Sequence, residues 1–294
     1  MATCRGLWQC AWCSLQVRPH LKRYRLLGFD FDSRVLSLDP IPDEWEDQVK
    51  ALHRANLERT LAGLRDEYGS RGFDQKLQNF VDLGAKPFSV IAFHNRFYAQ
   101  ARSAFVAGLY YPALTSIAAL GERVLNHLVL GLREHYKSSE IYRRVYRKDS
   151  FDNWELALDA LHEWQILTPG AETHFRLLWR QRNEALHFNP ETEANTRPLA
   201  LQALQLFGQI VECQFSCFGA LPWLFTPPGE VYIRRDWERH PFIQLVYLPN
   251  ARHVGYKHKV VSVFPWQIED NESYEAHEIS DEEFTNLRVQ PGAA

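Results

Sequence analysis

The sequence predicts a mainly α-helical protein, and three observations lead to this prediction. Five segments between residues 88 and 218 carry apolar side chains at every third or fourth position, which is the spacing of one helix face. A sixth such segment lies in residues 41–68. After residue 219, a stretch rich in proline and glycine leads into short runs of alternating or β-branched residues, which indicate strands.

We expect four parts along the chain. They are an N-terminal segment with one amphipathic helix (1–87), a helical bundle (88–218), a short β-strand element (219–268) and an acidic C-terminal tail (269–294). The amphipathic helix rests on apolar residues near helical spacing, namely Trp45, Val49, Leu52, Leu57, Leu61 and Leu64. Upstream, Asp30 and Asp32 are an acidic pair of the sort that holds Mg²⁺, but no phosphatase-type loop follows, and we interpret them as a turn.

Glycine and proline residues mark the predicted ends of the bundle helices. The first helix ends at Gly108, the second starts near Pro112 and runs to about residue 136, and the third covers residues 153–167. The fourth contains WRQRNEALHF (179–188) and ends at Asn189-Pro190, and the fifth covers about 197–218. Strands are predicted at 230–236, 241–249 and 258–266. Residues 269–283 hold eight acids and no lysine or arginine, which favours a mobile, solvated tail.

Composition narrows the class of protein. Of the 294 residues, 46% are hydrophobic and 23% are charged, as in a globular protein, and the formal net charge of -3 gives no general attraction to polyanions. We expect no membrane partner and a cytoplasmic location, because no apolar run approaches the ~20 residues of a membrane span and no signal-peptide pattern opens the chain. Five cysteines do not indicate a disulfide framework. Among Cys4, Cys10 and Cys13, only the last two form a short zinc-type pair, so we expect no metal or other cofactor.

The fourth bundle helix raises a question about charge. With about 100° per residue, Arg182 falls near the centre of the apolar stripe that contains Phe175 and Leu178. A guanidinium there needs an anion or several acceptors. One flank of the same helix carries a row of polar residues: Arg176, Arg180, Asn183 and His187.

This row suits a phosphodiester. A histidine that titrates near neutral pH can take the proton of a ribose 2′-hydroxyl or protonate the leaving 5′-oxygen. An arginine can stabilise the charge that builds up on the phosphoryl oxygens, and Asn183 can orient the histidine or the phosphate. The alternative is structural: Arg182 pairs with Glu122 or another acid in a helical core, and His187 caps the end of its helix.

The run Arg182-Asn183-Glu184-Ala185-Leu186-His187 resembles the R-N-x-x-x-H signature of the HEPN superfamily of small helical bundles. The likeness extends over about residues 90–218, because the first two bundle helices resemble the paired opening helices of such domains, with Glu122 as the acid in the second. It implies a metal-independent endoribonuclease that leaves a 2′,3′-cyclic phosphate and acts as a homodimer with two facing motifs. Arg182, His187 and Asn183 are then catalytic, and Glu122 supports them. Arg176 and Arg180 are further supporting candidates because they lie in the polar row of the same helix.

The resemblance also implies a biological class. HEPN ribonucleases commonly serve as toxins or antiviral effectors, and an antitoxin or sensor protein is then a partner. The tyrosine that some toxin members have two residues beyond the histidine is absent, since position 189 is Asn. Other members do not cleave RNA, so the alternative function is a non-catalytic module that binds nucleotide, nucleic acid or a partner protein.

A basic segment (residues 133–149) is a candidate RNA-binding surface. It has six Lys or Arg residues, three acids and interleaved tyrosines. Basic groups can hold phosphates while aromatic rings stack on bases of single-stranded RNA. The candidate contacts are Lys137, Arg143, Arg144, Arg147, Lys148, Tyr142 and Tyr146. The alternative is a solvated connection between two helices.

Overall fold

The computed structural model describes residues 21–91, 94–186, 190–218, 221–263, 265–271, 274 and 277–289, without the side chains of 185–186 and 190–194. Its helices are α1 (Asp47–Tyr68), α2 (Phe73–Leu83), α3 (His94–Val106), α4 (Tyr110–Leu132), α5 (Tyr142–Val145), α6 (Trp154–Glu163), α7 (Pro169–Leu186), α8 (Pro190–Ile210) and α9 (Asp281–Val289). Its strands are β1 (Lys22–Leu26), β2 (Asp30–Asp32), β3 (Lys86–Ser89), β4 (Leu224–Phe225), β5 (Tyr232–Ile233), β6 (Ala251–Gly255), β7 (Lys259–Val263) and β8 (Trp266–Glu269). The prediction of a mainly helical protein is confirmed.

The central helix of the bundle is α4, which is apolar enough to be buried on several of its sides. It packs against α3, α6, α7 and α8, while α7 also packs along α8. Its side chains at helical spacing are almost fully removed from solvent: Leu114, Ile117, Val124, Leu125, Leu128 and Val129. Because each buried aliphatic side chain contributes about 1.5–3 kcal/mol, this face of α4 holds the bundle together.

The N-terminal segment contributes to the sheet at the other end of the chain. A four-stranded antiparallel sheet has the order β4-β5-β1-β6, so β1 is an inner strand. Its register pairs Lys22 with Gly255 and Leu26 with Ala251. A second small sheet pairs β2 with β3, and a third pairs β7 with β8. The interpretation of Asp30 and Asp32 as a turn is therefore wrong, because both lie in a strand.

Residues 241–249, predicted as a strand, are helical, and that prediction is wrong. A π-helical turn (Ile243–Tyr247) is followed by a 3₁₀ turn (Leu248–Asn250). Phe242, Ile243 and Tyr247 are buried at a spacing that fits a helix. The Tyr247 hydroxyl lies 2.9 Å from the Gln214 carbonyl and 3.0 Å from that of Ser216, so tertiary contacts hold this turn. The predicted strand at 230–236 shrinks to the two residues of β5.

Part of the acidic tail is an ordered element rather than a mobile one. Ser280 and Glu283 form reciprocal bonds at the start of α9, where each backbone N–H is accepted by the other's side chain at 2.7 and 3.1 Å. This is a capping box. Phe284 is fully buried in α9, and Asp281 accepts a 2.8 Å bond from the buried Arg23 of β1. The helix thereby covers the four-stranded sheet.

One further helix was not predicted, and one helix start lies close to its predicted position. The N-terminal segment has a second helix, α2, which follows Gly72 in a left-handed conformation with φ of 64°. The last bundle helix, α8, contains a kink at Asn195, which has non-helical φ and ψ values of -120° and 22°, and the helical part after this kink begins close to the predicted residue 197. A kink there fits the sequence, since Pro198 cannot donate the backbone bond of a continuous helix.

Candidate active site

Arg182 and Glu122 form the centre of the candidate site. Arg182 lies in the last turns of α7, and its Nη2 donates to Glu122 Oε2 of α4 at 3.2 Å. The Arg182 side chain is 22% exposed and that of Glu122 is 34% exposed. Sequence analysis placed Arg182 near the centre of the apolar stripe; the structure places it at the solvent edge, while Phe175 and Leu178 of the same helix are buried. The pair is thus open to a ligand from solvent.

Glu122 is held by a third helix through Trp154. The fully buried Trp154, first residue of α6, donates its indole Nε1–H to Glu122 Oε2 at 3.3 Å. The ring lies against Gly121, where a Cβ atom would come within 2.4 Å of Trp154 Cη2. Because Gly121 has no side chain, the Trp154 ring fits against α4. Side chains of α6 and α7 can therefore both bond to one carboxylate oxygen of α4, Glu122 Oε2.

Asn183 binds the guanidinium directly. Its Oδ1 accepts a bond from Arg182 Nη1 at 3.1 Å. A guanidinium has five N–H donors, and the bonds to Glu122 and Asn183 use two of them. The Asn183 amide nitrogen has no acceptor in the described part of the chain. The arrangement therefore fixes the plane of the guanidinium and leaves donors for an incoming anion.

His187 lies outside the described residues, as does Asn189. The structure consequently describes the first two residues of the Arg-Asn motif and the backbone of α7 up to Leu186. The cysteines considered for zinc, Cys4, Cys10 and Cys13, also lie outside the described residues.

The two candidate supporting arginines have different surroundings. Arg176 Nη2 lies 2.9 Å from Glu172 Oε1 and 3.5 Å from Asp159 Oδ1, so acids of α6 and α7 compensate its charge. Six residues separate it from Arg182, about 9 Å along the helix. Arg180 is exposed and has no ion pair within the described residues. The structure does not bring Arg176 to the pair formed by Arg182 and Glu122.

The basic segment presents cations and aromatic rings to solvent. Its candidate RNA contacts that are exposed are Lys137, Arg143, Arg144, Tyr146, Arg147 and Lys148, and its three acids, Glu134, Glu140 and Asp149, are exposed as well. The Tyr142 and Tyr146 rings stack with centroids 5.7 Å apart, and the Arg147 guanidinium lies 5.0 Å from the Tyr146 centroid. The buried Val145 anchors α5 to the bundle. Lys137 is paired with Glu134 at 3.0 Å, which lowers its availability to phosphates.

A hydrogen-bonded clamp joins the end of the basic segment to the candidate site. Asn126 of α4 accepts the Phe151 N–H at 2.6 Å and donates to the Phe151 carbonyl at 3.0 Å. Asn126 is one turn beyond Glu122, about 6 Å along α4. Lys148 precedes Phe151 by three residues, which span at most about 11 Å. The basic segment and the Arg182–Glu122 pair therefore occupy neighbouring parts of the surface.

Sequence reasoning missed a pair of histidines that joins α3 to α4. His127 of α4 and His94 of α3 have their Nδ1 and Nε2 atoms 2.9 Å apart. Burial lowers the pKa of both, that of His94 to about 4, and the charges of His127 and Arg123 add to the effect on His94. Both imidazoles are thus neutral at pH 7, so one donates and the other accepts. No spacing along the chain indicates this pair, because the two histidines lie on different helices.

Comparison of the chain with protein-family models, with curated proteins and with solved structures finds no match. Within the described ranges, no group of three or more His, Cys, Asp and Glu side chains is arranged to hold a metal ion. No helix in the same ranges is both long and apolar enough to cross a membrane.

Proposed function

We propose that this chain is a HEPN-type endoribonuclease that cleaves RNA by attack of a 2′-hydroxyl on the adjacent phosphate, without a metal ion. It acts as a homodimer in the cytoplasm, as a toxin or an antiviral effector, with an antitoxin or sensor protein as its partner. The observation that carries the proposal is the solvent-accessible Arg182, which is oriented by Glu122 and Asn183 and lies within the motif that ends at His187.

The proposed reaction has a balanced set of proton transfers. A neutral His187 takes the proton of the 2′-hydroxyl, whose oxygen then attacks the phosphorus. The bond from phosphorus to the 5′-oxygen breaks, and that oxygen receives a proton from an imidazolium, either the same side chain or its symmetry mate in the dimer. The products are a 2′,3′-cyclic phosphate and a 5′-hydroxyl.

Arg182 has the transition-state role. Negative charge grows on the non-bridging phosphoryl oxygens as the 2′-oxygen attacks, and a preoriented guanidinium stabilises that charge without moving. Glu122 and Trp154 supply the orientation, since the carboxylate holds one amino group while the indole holds the carboxylate. The remaining donors of Arg182 face the phosphate.

The basic segment supplies the approach path for RNA in this proposal. Its net charge is positive while that of the whole chain is -3, so RNA is attracted to this surface and not to the protein at large. The stacked Tyr142 and Tyr146 offer a platform for an unpaired base, which favours single-stranded or loop RNA as the substrate.

A second function of a different class has one observation in its favour. Glu122 already compensates part of the charge of Arg182, as expected if the pair joins α4 to α7 for structural reasons. The protein is then a non-catalytic helical module that binds nucleotide, nucleic acid or a partner protein at the same surface. Binding of RNA without scission in the experiment below is the result that favours this alternative.

We expect purified protein to cleave single-stranded RNA in the presence of EDTA, and His187→Ala to lower the rate by about 100-fold or more, since it removes the general base. The matched control is His162→Ala. His162 is a 69% exposed histidine on α6 that bonds to Glu172, and its loss should leave the rate unchanged. Gel analysis of labelled RNA measures both rates. Equal cleavage by wild type and His187→Ala contradicts the proposal, as does cleavage that stops when EDTA is added.

A further inference from the structure

A cavity of 410 Å³ opens at the junction of the N-terminal segment and the bundle. We call it the N-terminal cavity. Its walls come from β2, the end of α1, the end of α2, β3 and α3. Cavities of about 300–1,000 Å³ with mixed apolar and polar linings are typical of small-molecule sites. None of the residues assigned above to RNA cleavage lines it.

The floor of the N-terminal cavity carries two buried cations. Lys86 is 5% exposed and Arg102 is 7% exposed, and both lie beside the fully buried Tyr98 ring, at 5.7 and 5.8 Å from its centroid. Burial of a charge is costly unless an opposite charge or several hydrogen bonds compensate it. The partners of these two groups therefore decide what the cavity binds.

Among the described residues, the carboxylates of the rim form direct ion pairs with the other cations but not with Arg102. Lys86 pairs with Asp30, while Arg34 pairs with Asp32 at 2.8 Å and with Glu67 at 2.7 Å. Arg102 donates to the Gly84 carbonyl at the end of α2, and the described residues include no carboxylate within ion-pair distance of it. A carbonyl caps one donor of the guanidinium. The acid that the charge of Arg102 influences is Asp32, whose pKa it helps to lower, and the Asp32 carboxylate is already paired with Arg34.

Aromatic and hydroxyl groups complete the lining above this charge. Phe31 stands at the mouth, stacked on Phe88 at a centroid distance of 4.1 Å, and it is still 44% exposed. Burial raises the pKa of Tyr68, and its hydroxyl interacts with the side chains of Ser103 and Glu67. The ring of Phe31 offers a stacking surface, and Tyr68 and Ser103 offer neutral hydrogen-bonding groups in the same lining.

We infer that the N-terminal cavity binds a small organic anion with a planar ring, whose carboxylate or phosphate bonds to Arg102 while its ring lies against Phe31. The anion supplies the direct ion pair that this buried guanidinium lacks among the described residues. Its other polar atoms contact Tyr68 and Ser103. This inference is independent of the ribonuclease proposal, because its residues and its ligand are different.

The test is calorimetric titration of the full chain with four probes: adenosine monophosphate and nicotinate as ring-bearing anions, inorganic phosphate as an anion without a ring, and adenosine as a ring without a charge. We expect saturable binding of at least one ring-bearing anion, tighter than that of phosphate or adenosine. A preference for adenosine monophosphate assigns the anion as a phosphate, and a preference for nicotinate assigns it as a carboxylate.

Two variants locate the binding. Arg102→Met should weaken it at least about tenfold, since a hydrogen-bonded charge is lost. Ala99→Phe fills the cavity from its α3 wall, and it serves as the second variant if the first does not fold. The matched control is Arg65→Met, which removes an exposed arginine of α1 that packs on Phe73 away from the cavity. The inference fails if neither ring-bearing anion binds, if phosphate alone binds equally well, or if the variant that folds binds like wild type.

Discussion

Replacement of Arg182 by alanine is expected to lower the rate of RNA cleavage by about 100- to 1,000-fold, because it removes the group that stabilises charge in the transition state. Arg182→Lys keeps the positive charge but cannot hold Glu122 and a phosphate in one rigid plane, so an intermediate loss is expected. The effect should appear mainly in kcat, since the basic segment remains to bind RNA. Single-turnover cleavage with saturating protein measures it.

Unfolding experiments separate this chemical role from a structural one. The Arg182–Glu122 pair is partly exposed, and such pairs contribute about 1 kcal/mol or less to stability. The free energy of unfolding of Arg182→Ala, measured in urea, should therefore lie within about 1 kcal/mol of the wild-type value, while its rate of RNA cleavage falls strongly. The control is Arg59→Ala, which should leave the cleavage activity unchanged. Arg59 is an exposed arginine of α1 whose Nη1 bonds to Asn56. Full activity in folded Arg182→Ala would exclude the proposed site.

Gly121→Ala is expected to destabilise the protein by about 1–3 kcal/mol, the usual cost of overpacking a core. The added Cβ would lie 2.4 Å from Trp154 Cη2 and 3.1 Å from Leu178 Cδ2, so the indole must move. Trp154 would then lose its bond to Glu122, and RNA cleavage should fall as well. Urea unfolding followed by circular dichroism gives the change in the free energy of unfolding.

The matched substitution is Gly63→Ala in the middle of α1. No atom lies within 4 Å of the position that its Cβ would take. Alanine there should stabilise the protein by about 0.5–1 kcal/mol, because glycine loses more backbone entropy in a helix. The two glycine substitutions should thus change the free energy of unfolding in opposite directions. A neutral Gly121→Ala would mean that Trp154 does not pack against α4 as described.

The helices that carry the site were predictable because their apolar faces are long. The apolar spacing and the flanking glycine and proline residues located α4 and α7 to within a few residues. Residues 241–249 were assigned to the wrong class because a short apolar run fits a strand and a buried helical turn equally well. The strand β1 was missed because its partners, β5 and β6, are more than 200 residues away in the chain. The start of α9 was predictable from Ser280 and Glu283, which form its capping box. The acidic composition of residues 269–283 favoured a solvated tail instead.

The residues of the candidate site were predictable, but the contact that orients them was not. Arg182 and Asn183 are adjacent in the sequence, and Glu122 was named as an acid of the second bundle helix. Their orientation depends on Trp154, which a third helix brings in, and no spacing along the chain indicates that contact. The His94–His127 pair and the floor of the N-terminal cavity are likewise products of tertiary packing.

The chemical end of the RNA product tests the central claim most directly. Mass spectrometry of fragments formed in EDTA should find a 2′,3′-cyclic phosphate on one fragment and a 5′-hydroxyl on the other. A substrate with a single 2′-deoxyribose at the cleaved position should stay intact there, because the attacking oxygen is absent. Fragments with a 3′-hydroxyl, or cleavage at the deoxyribose, would contradict a reaction driven by the 2′-hydroxyl beside Arg182.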